Sequence, residues 1–203
     1  MIIKVCGMRN PDNIKAVEQL GPDWMGFIFY AGSSRYVGEE LSYLPEKVKR
    51  VGVFVNEEPE IVRKRVPRHR LDIIQLHGEE SPVYCNDLKD DGFRVVKAFG
   101  IVTNLPFPSE AVQRYEGCCD YFLFDTQTNL HGGSGKKFNW EMLAAYKGET
   151  PFLLSGGISP EDVEEIKSFA HPRFAGIDIN SRFEIEPAVK DIELIKTFIK
   201  EFR

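Results

Sequence analysis

The first fourteen residues, Met1-Ile2-Ile3-Lys4-Val5-Cys6-Gly7-Met8-Arg9-Asn10-Pro11-Asp12-Asn13-Ile14, hold a strand and the start of a helix. Ile2–Val5 is a strand-forming run, and alternate side chains of a strand point to opposite faces. Ile3 and Val5 share one face, Lys4 and Cys6 the other. Asn10-Pro11-Asp12 then supplies a helix start, with proline near the first helical position and an acid in the first turn. The apolar Ile3/Val5 face suits packing against helices, which turns Lys4 and Cys6 inward. A buried lysine has few options other than pairing or function.

The same alternation repeats along the chain. Strands are predicted at Ile2–Val5, Trp24–Phe29, Val51–Val55, Asp72–Leu76, Val95–Phe99, Tyr121–Asp125, Phe152–Ser155 and Ala175–Ile179. Ser159-Pro160-Glu161-Asp162 opens a later helix with Ser159 as its cap. Asp191–Phe202 carries a helical stripe of Ile192, Ile195, Phe198 and Ile199. In Gly100–Gly117, Pro106 and Pro108 delay any helix. Strand–helix repeats imply a parallel sheet with right-handed crossovers. Eight such units fill the 203 residues without a linker, which predicts a (βα)8 TIM barrel as a single compact domain over 1–203. Barrels of this kind usually need about 250 residues, so the loops must be short. An open doubly wound sheet is disfavoured because no GxGxxG follows the first strand.

Composition narrows the function classes. Apolar residues make up 42% of the chain and charged residues 28%, which is ordinary globular usage. The net charge of −5 is spread without a basic block, which argues against nucleic acid and acidic membrane surfaces. No apolar run is long enough to span a membrane, and Met1–Gly7 does not read as a signal peptide. Cys6, Cys85, Cys118 and Cys119 form no CxxC pair and no zinc spacing, so no metal site is expected and a reducing, cytoplasmic compartment is.

In a (βα)8 barrel, chemistry sits on loops after the carboxyl ends of the strands. That is where the unusual residues fall: Cys6-Gly7, Ser33-Ser34-Arg35, Gln75-Leu76-His77-Gly78, Asp125, Gly132-Gly133-Ser134-Gly135, Ser155-Gly156-Gly157 and Asp178-Ile179-Asn180-Ser181, with Lys97 on the fifth strand. Glycine-rich loops let backbone N–H groups converge on phosphate oxygens, and the last loops of such barrels often do so. Taken singly these residues are weak signals. A cysteine at a strand end is commonly a small buried hydrophobe, and an aspartate there commonly caps a turn.

Their order and spacing are what make them specific. KVCGMRNPDNI (Lys4–Ile14), GFIFYAGSSRYV (Gly26–Val37), IIQLHGEE (Ile73–Glu80), FDTQTNLHGGSGKKFNW (Phe124–Trp140), LLSGGISPEDV (Leu153–Val163) and IDINSRFEIEPAVKD (Ile177–Asp191) together resemble the phosphoribosylanthranilate isomerases of tryptophan biosynthesis. The resemblance runs nearly end to end. It implies an Amadori rearrangement of N-(5-phosphoribosyl)anthranilate to 1-(2-carboxyphenylamino)-1-deoxyribulose 5-phosphate, with no cofactor. By resemblance Cys6 is the general base and Asp125 the general acid. Arg35 is expected at the anthranilate carboxylate, Asp178 at the bridging amine and hydroxyls, and Gln75 at the barrel mouth. Gly133, Ser134, Gly135, Gly156, Gly157, Asn180 and Ser181 are expected to cradle the phosphate. Lys4 is expected to favour the Cys6 thiolate. The implied partner is a small phosphorylated molecule, and the implied assembly a monomer or homodimer.

The chain departs from the family pattern in three places. Asn180-Ser181-Arg182-Phe183 stands where Ser-Ser-Gly-Val is common, Ala188 where glycine is common, and Ser where proline often precedes the arginine. Two alternatives remain at this level. A histidine-pathway sugar isomerase would need carboxylates ending strands 1 and 5, where this chain has Cys6 and Lys97. A non-catalytic sugar-phosphate-binding barrel would keep the cradle without turnover.

Overall fold

A computed structural model describes residues 1–41, 43–126 and 137–203. Eight parallel strands close into a barrel in chain order: β1 Ile2–Val5, β2 Trp24–Ile28, β3 Lys49–Phe54, β4 Ile73–Leu76, β5 Arg94–Ile101, β6 Tyr121–Thr126, β7 Phe152–Leu154 and β8 Phe174–Ile179. β8 returns to β1 with Lys4 opposite Asp178. Strand parity sorts the side chains as expected. Ile2, Trp24, Val51, Ile73, Val96, Leu123 and Leu153 fill the lower barrel interior, while Ile3, Val5, Met25, Ile74, Val95, Phe122 and Ile177 join the layer under the helices. The apolar floor leaves the carboxyl end of the barrel to polar groups.

The outer layer holds helices α1 Pro11–Gln19, α2 Pro59–Arg68, α3 Pro82–Asp90, α4 Ser109–Gln113, α5 Val163–Ser168 and α6 Ile192–Phe202. Asn10 caps α1, accepting from the N–H groups of Asp12 and Asn13 at 3.0 and 3.1 Å. α6 buries Ile195, Phe198, Ile199 and Phe202, and Asp191 caps it through the Leu194 N–H at 3.0 Å. Ser159 opens a 3-10 turn, Pro160–Asp162, ahead of α5, and its N–H and hydroxyl both bond Asp162. α4 is a five-residue helix, as its prolines foretell.

The strand–helix repeat fails in the second unit. Between β2 and β3 no described residue is helical. This stretch has two glycines, Pro45 and no helical stripe. Its backbone is satisfied instead by Glu18 at the end of α1, which accepts from the N–H groups of Glu46 and Lys47 at 2.6 and 2.7 Å and from the Tyr43 hydroxyl at 2.7 Å. The β6–β7 connection carries a 3-10 helix, Trp140–Ala145. After β8 the chain makes a 3-10 turn, Ser181–Phe183, and a small hairpin of β9 Glu184–Glu186 and β10 Val189–Lys190. No helix among the described residues is long and apolar enough to cross a membrane.

Candidate active site

Lys4 and Cys6 lie on the inward face of β1, one above the other, both buried. The Lys4 ammonium donates to Asp178 Oδ2 at 2.8 Å, joining the first and last strands across the seam of the barrel. Gly26 on β2 makes room for this pair. A Cβ there would stand 2.6 Å from Cys6 Sγ and 3.1 Å from Lys4 Nζ, so a larger residue would push sulfur and ammonium apart. Burial pushes the Cys6 thiol above its ordinary pKa, and Lys4 offsets only part of this because Asp178 acts the other way. Lys4 does favour the thiolate, in the direction expected, but its charge is shared with Asp178 and burial outweighs it. Burial likewise raises Asp178. Burial opposes the Lys4 charge, but Asp178 and Cys6 outweigh it and hold the ammonium above its ordinary value.

On the far side of the mouth, β4 and β6 bring together Gln75, His77 and Asp125. His77 Nε2 lies 3.3 Å from Asp125 Oδ2, and Asp125 Oδ1 accepts from the Thr126 N–H at 2.8 Å. Gln75 Nε2 is 3.1 Å from His77 Nδ1. An amide NH₂ there can only donate, which leaves the Nε2 proton of a neutral imidazole facing the carboxylate. Gln75 is buried at the end of β4 and holds the His77 ring through this contact. Gly156, past β7, has φ +85 and its carbonyl accepts from the Thr126 hydroxyl at 3.3 Å, so the β7 loop abuts the Asp125 strand end. Gly157 also has positive φ, at +71. Gly133, Ser134 and Gly135 lie outside the described residues.

Arg35 reaches the mouth from the loop after β2, where Glu184 binds it through Nε at 2.9 Å and Nη2 at 2.6 Å. That bond raises the guanidinium pKa. Burial opposes the Glu184 charge, yet Arg35 and Lys190 hold its carboxyl below the usual range. Asn180 and Ser181 follow β8, and the Asn180 Oδ1 accepts from the Lys190 ammonium at 2.6 Å. Sequence reasoning missed Glu184 and Lys190. The one signal for them was their place in the IDINSRFEIEPAVKD stretch.

Lys97 is turned away from the site. Val96 and Ala98 occupy the inner face of β5, so Lys97 points outward. There it bonds Glu80 at 3.0 Å and the Gly78 carbonyl at 2.6 Å. Among the described residues no cluster of three or more His, Cys, Asp or Glu side chains is arranged for a metal ion.

Fold and mouth together define a small (βα)8 barrel whose catalytic end carries a thiol, carboxylates, an imidazole and an arginine. The sequence profile of the N-(5'-phosphoribosyl)anthranilate (PRA) isomerase family matches residues 3–201, and the chain belongs to that family. It is 52% identical over 203 residues to the N-(5'-phosphoribosyl)anthranilate isomerase of Phocaeicola vulgatus, covering 100% of this chain and 98% of that one. Among solved structures it is similar to monomers of the dimeric phosphoribosylanthranilate isomerase of Thermotoga maritima (TM-score 0.82, 33% identity, 100% of this chain and 98% of that one). It is also similar to a phosphoribosyl anthranilate isomerase in complex with reduced 1-(o-carboxyphenylamino)-1-deoxyribulose 5-phosphate (TM-score 0.80, 31% identity, 100% and 98%).

Proposed function

We propose that this chain, as a one-domain enzyme over residues 1–203, converts N-(5'-phosphoribosyl)anthranilate to 1-(2-carboxyphenylamino)-1-deoxyribulose 5-phosphate in tryptophan biosynthesis, with Asp125 as acid and Cys6 as base. Asp125 gives its proton to the ribose ring oxygen, the C1–O bond breaks, and the nitrogen lone pair forms the iminium. Cys6 takes the proton from C2, and the electrons of that bond move toward nitrogen to give the enolamine. Return of a proton to C1 and loss of the O2 proton leave the ketone. Each such group contributes about 10²–10⁴-fold.

The observation that carries this reading is that the inward ends of β1 and β6 bring a thiol and a carboxylate to one barrel mouth, each oriented by a hydrogen-bonding neighbour. Asp125 has the His77 imidazole at 3.3 Å, and Cys6 shares a buried pocket with the Lys4–Asp178 pair. Asp178 Oδ1 and Gln75 Oε1 are buried with no hydrogen-bond partner among the described residues. Such orphan acceptors are costly and suit a site that orders around a polyhydroxy substrate. Arg35 takes the anthranilate carboxylate, for which a guanidinium fork is matched. Gly156, Gly157 and the Asn180–Ser181 backbone take the phosphate. The four thiols are free, which supports a reducing, cytoplasmic setting, with the chain as a monomer or homodimer.

The test is a fluorescence assay in which phosphoribosylanthranilate is generated in situ from anthranilate and phosphoribosyl pyrophosphate. Enzyme-dependent loss of the substrate is expected, and it should fall about 10²–10⁴-fold in Asp125→Asn. Full turnover in that variant would move the acid elsewhere. No turnover by the folded wild-type chain would leave a binding barrel.

A further inference from the structure

Glu184 and Lys190 lie on the strap that follows β8, opposite each other in the β9–β10 hairpin. Phe183, fully buried, anchors the strap through an edge contact with Phe198 on α6 at 4.9 Å. Lys190 is itself fully buried, and its ammonium is held by Glu184 Oε1 at 2.8 Å, Asn180 Oδ1 at 2.6 Å and the Asn180 carbonyl at 3.3 Å. Glu184 also accepts from the Ala188 N–H at 3.1 Å. The acid is therefore fixed from two sides before it meets Arg35.

Its grip on Arg35 is directional. Glu184 takes the Nε/Nη2 edge of the guanidinium, which leaves the Nη1/Nη2 edge open for an end-on, bidentate acceptor. Lys190 acts on Asn180 in the same way. An ammonium only donates, so it binds the amide oxygen and leaves the Nδ2 donors as the free end. The two groups are neighbours: a Cβ on Gly7 would lie 2.6 Å from Arg35 Cδ and 2.7 Å from Asn180 Oδ1. We propose that Glu184 and Lys190 are positioning residues for substrate recognition: Glu184, braced by Lys190, holds Arg35 so that its open Nη1/Nη2 edge meets the substrate's aromatic carboxylate, and Lys190 fixes the neighbouring Asn180 side chain. This rests on the reading of Arg35 as the carboxylate-binding residue and assigns the Asn180 side chain to that end of the mouth.

The experiment measures, on the full chain, binding of two inhibitors: the reduced carboxyphenylamino-deoxyribulose phosphate and its phenylamino counterpart without the carboxylate. Glu184→Gln is expected to weaken the carboxylate-bearing inhibitor about tenfold and to leave the other within about twofold. Lys190→Met should show the same selectivity, and Glu184→Asp should recover part of it. Substrate KM should rise with kcat held. In an Arg35→Met background, Glu184→Gln should add nothing. If Arg35→Met weakens both inhibitors equally, the Arg35 assignment is wrong. If Arg35→Met discriminates but Glu184→Gln weakens both or neither, the positioning proposal is overturned. Tighter binding of the carboxylate inhibitor by Glu184→Gln would also overturn it, since Glu184 would then be a competitor for Arg35.

Discussion

Two buried lysines on the barrel wall make nearly the same ion pair and have different surroundings. Lys4 bonds Asp178 at 2.8 Å and Lys97 bonds Glu80 at 3.0 Å, and all four side chains are at most 5% exposed. Lys97 is saturated. Its three protons have the Glu80 carboxylate and the Leu76 and Gly78 carbonyls. Glu80 in turn accepts from the N–H groups of Asn56 and Gly78 at 2.8 and 2.9 Å. The cluster knits together the loops after β3 and β4 on the outside of the barrel. Lys4 faces inward, beside a thiol, and its partner keeps one oxygen, Asp178 Oδ1, without a bond among the described residues. Burial and pairing alone do not mark a functional lysine. What separates the two is the side of the wall, set by strand parity, and whether the surrounding hydrogen bonds are complete.

The largest expected effect tests what the inward pair serves. Cys6→Ala should lower kcat about 10²–10⁴-fold while thermal unfolding changes little, because the thiol is small and carries no ion pair. An alanine variant with near-native kcat would make the Lys4 cluster as structural as the Lys97 one.

Next come the lysines themselves. Lys97→Met should cost about 3–5 kcal/mol of unfolding free energy, since it leaves the Glu80 carboxylate buried without its cation, with kcat/KM within about twofold. Lys4→Met should reverse the pattern. It costs less stability, because Asp178, already pushed toward the protonated form by burial, takes up a proton, and it costs more activity. The pH profile separates the two further. A base must be ionised to act, and burial raises the Cys6 thiol pKa, so kcat/KM should climb through neutral and mildly alkaline pH as thiolate appears. Removing the Lys4 cation takes away a group that favours thiolate, so this limb should move to higher pH in Lys4→Met and stay put in Lys97→Met. A limb that moves equally in both would erase the distinction between inside and outside.

That distinction was only partly legible in the sequence. β1 declares its faces, because Ile3 and Val5 alternate with Lys4 and Cys6. β5 does not: Val95, Val96, Ala98 and Phe99 are apolar on both faces, as in a strand buried on both sides. Lys97 was therefore placed at the mouth by its neighbours in sequence and not by parity. The barrel itself was readable because each strand is a short β-branched or aromatic run; the missing second helix was not foreseen, because counting eight repeats assumed a helix in a connection that has no apolar stripe. Cys6, Gln75, His77, Asp125 and Asp178 end their strands, and the barrel topology alone brings them together. Glu184 stands beyond the last strand and meets Arg35 across 149 positions of chain, a contact that no local pattern encodes. Asn180 was assigned by its loop to the phosphate, and only the Lys190 contact shows which end of its amide is free.

The smallest expected effect lies within the Glu184 strap and separates nearness to the site from a role in it. Ala188 has φ +70 and no exposed surface, and its N–H donates to Glu184 at 3.1 Å. An alanine in the left-handed region carries about 1–2 kcal/mol of steric cost. Ala188→Gly removes that cost, but it also removes a buried methyl worth about 0.8 kcal/mol and loosens the unfolded chain by about 0.4–1 kcal/mol. These terms cancel to within about 0.8 kcal/mol either way, so Tm should stay nearly unchanged. Activity should not change, because the N–H that braces Glu184 belongs to the backbone and survives the substitution. A drop in Tm would mean that the methyl's packing outweighs the backbone strain. A rise in KM with Tm unchanged would mean that the stiffness of this turn, and not its hydrogen bond alone, keeps Glu184 against Arg35.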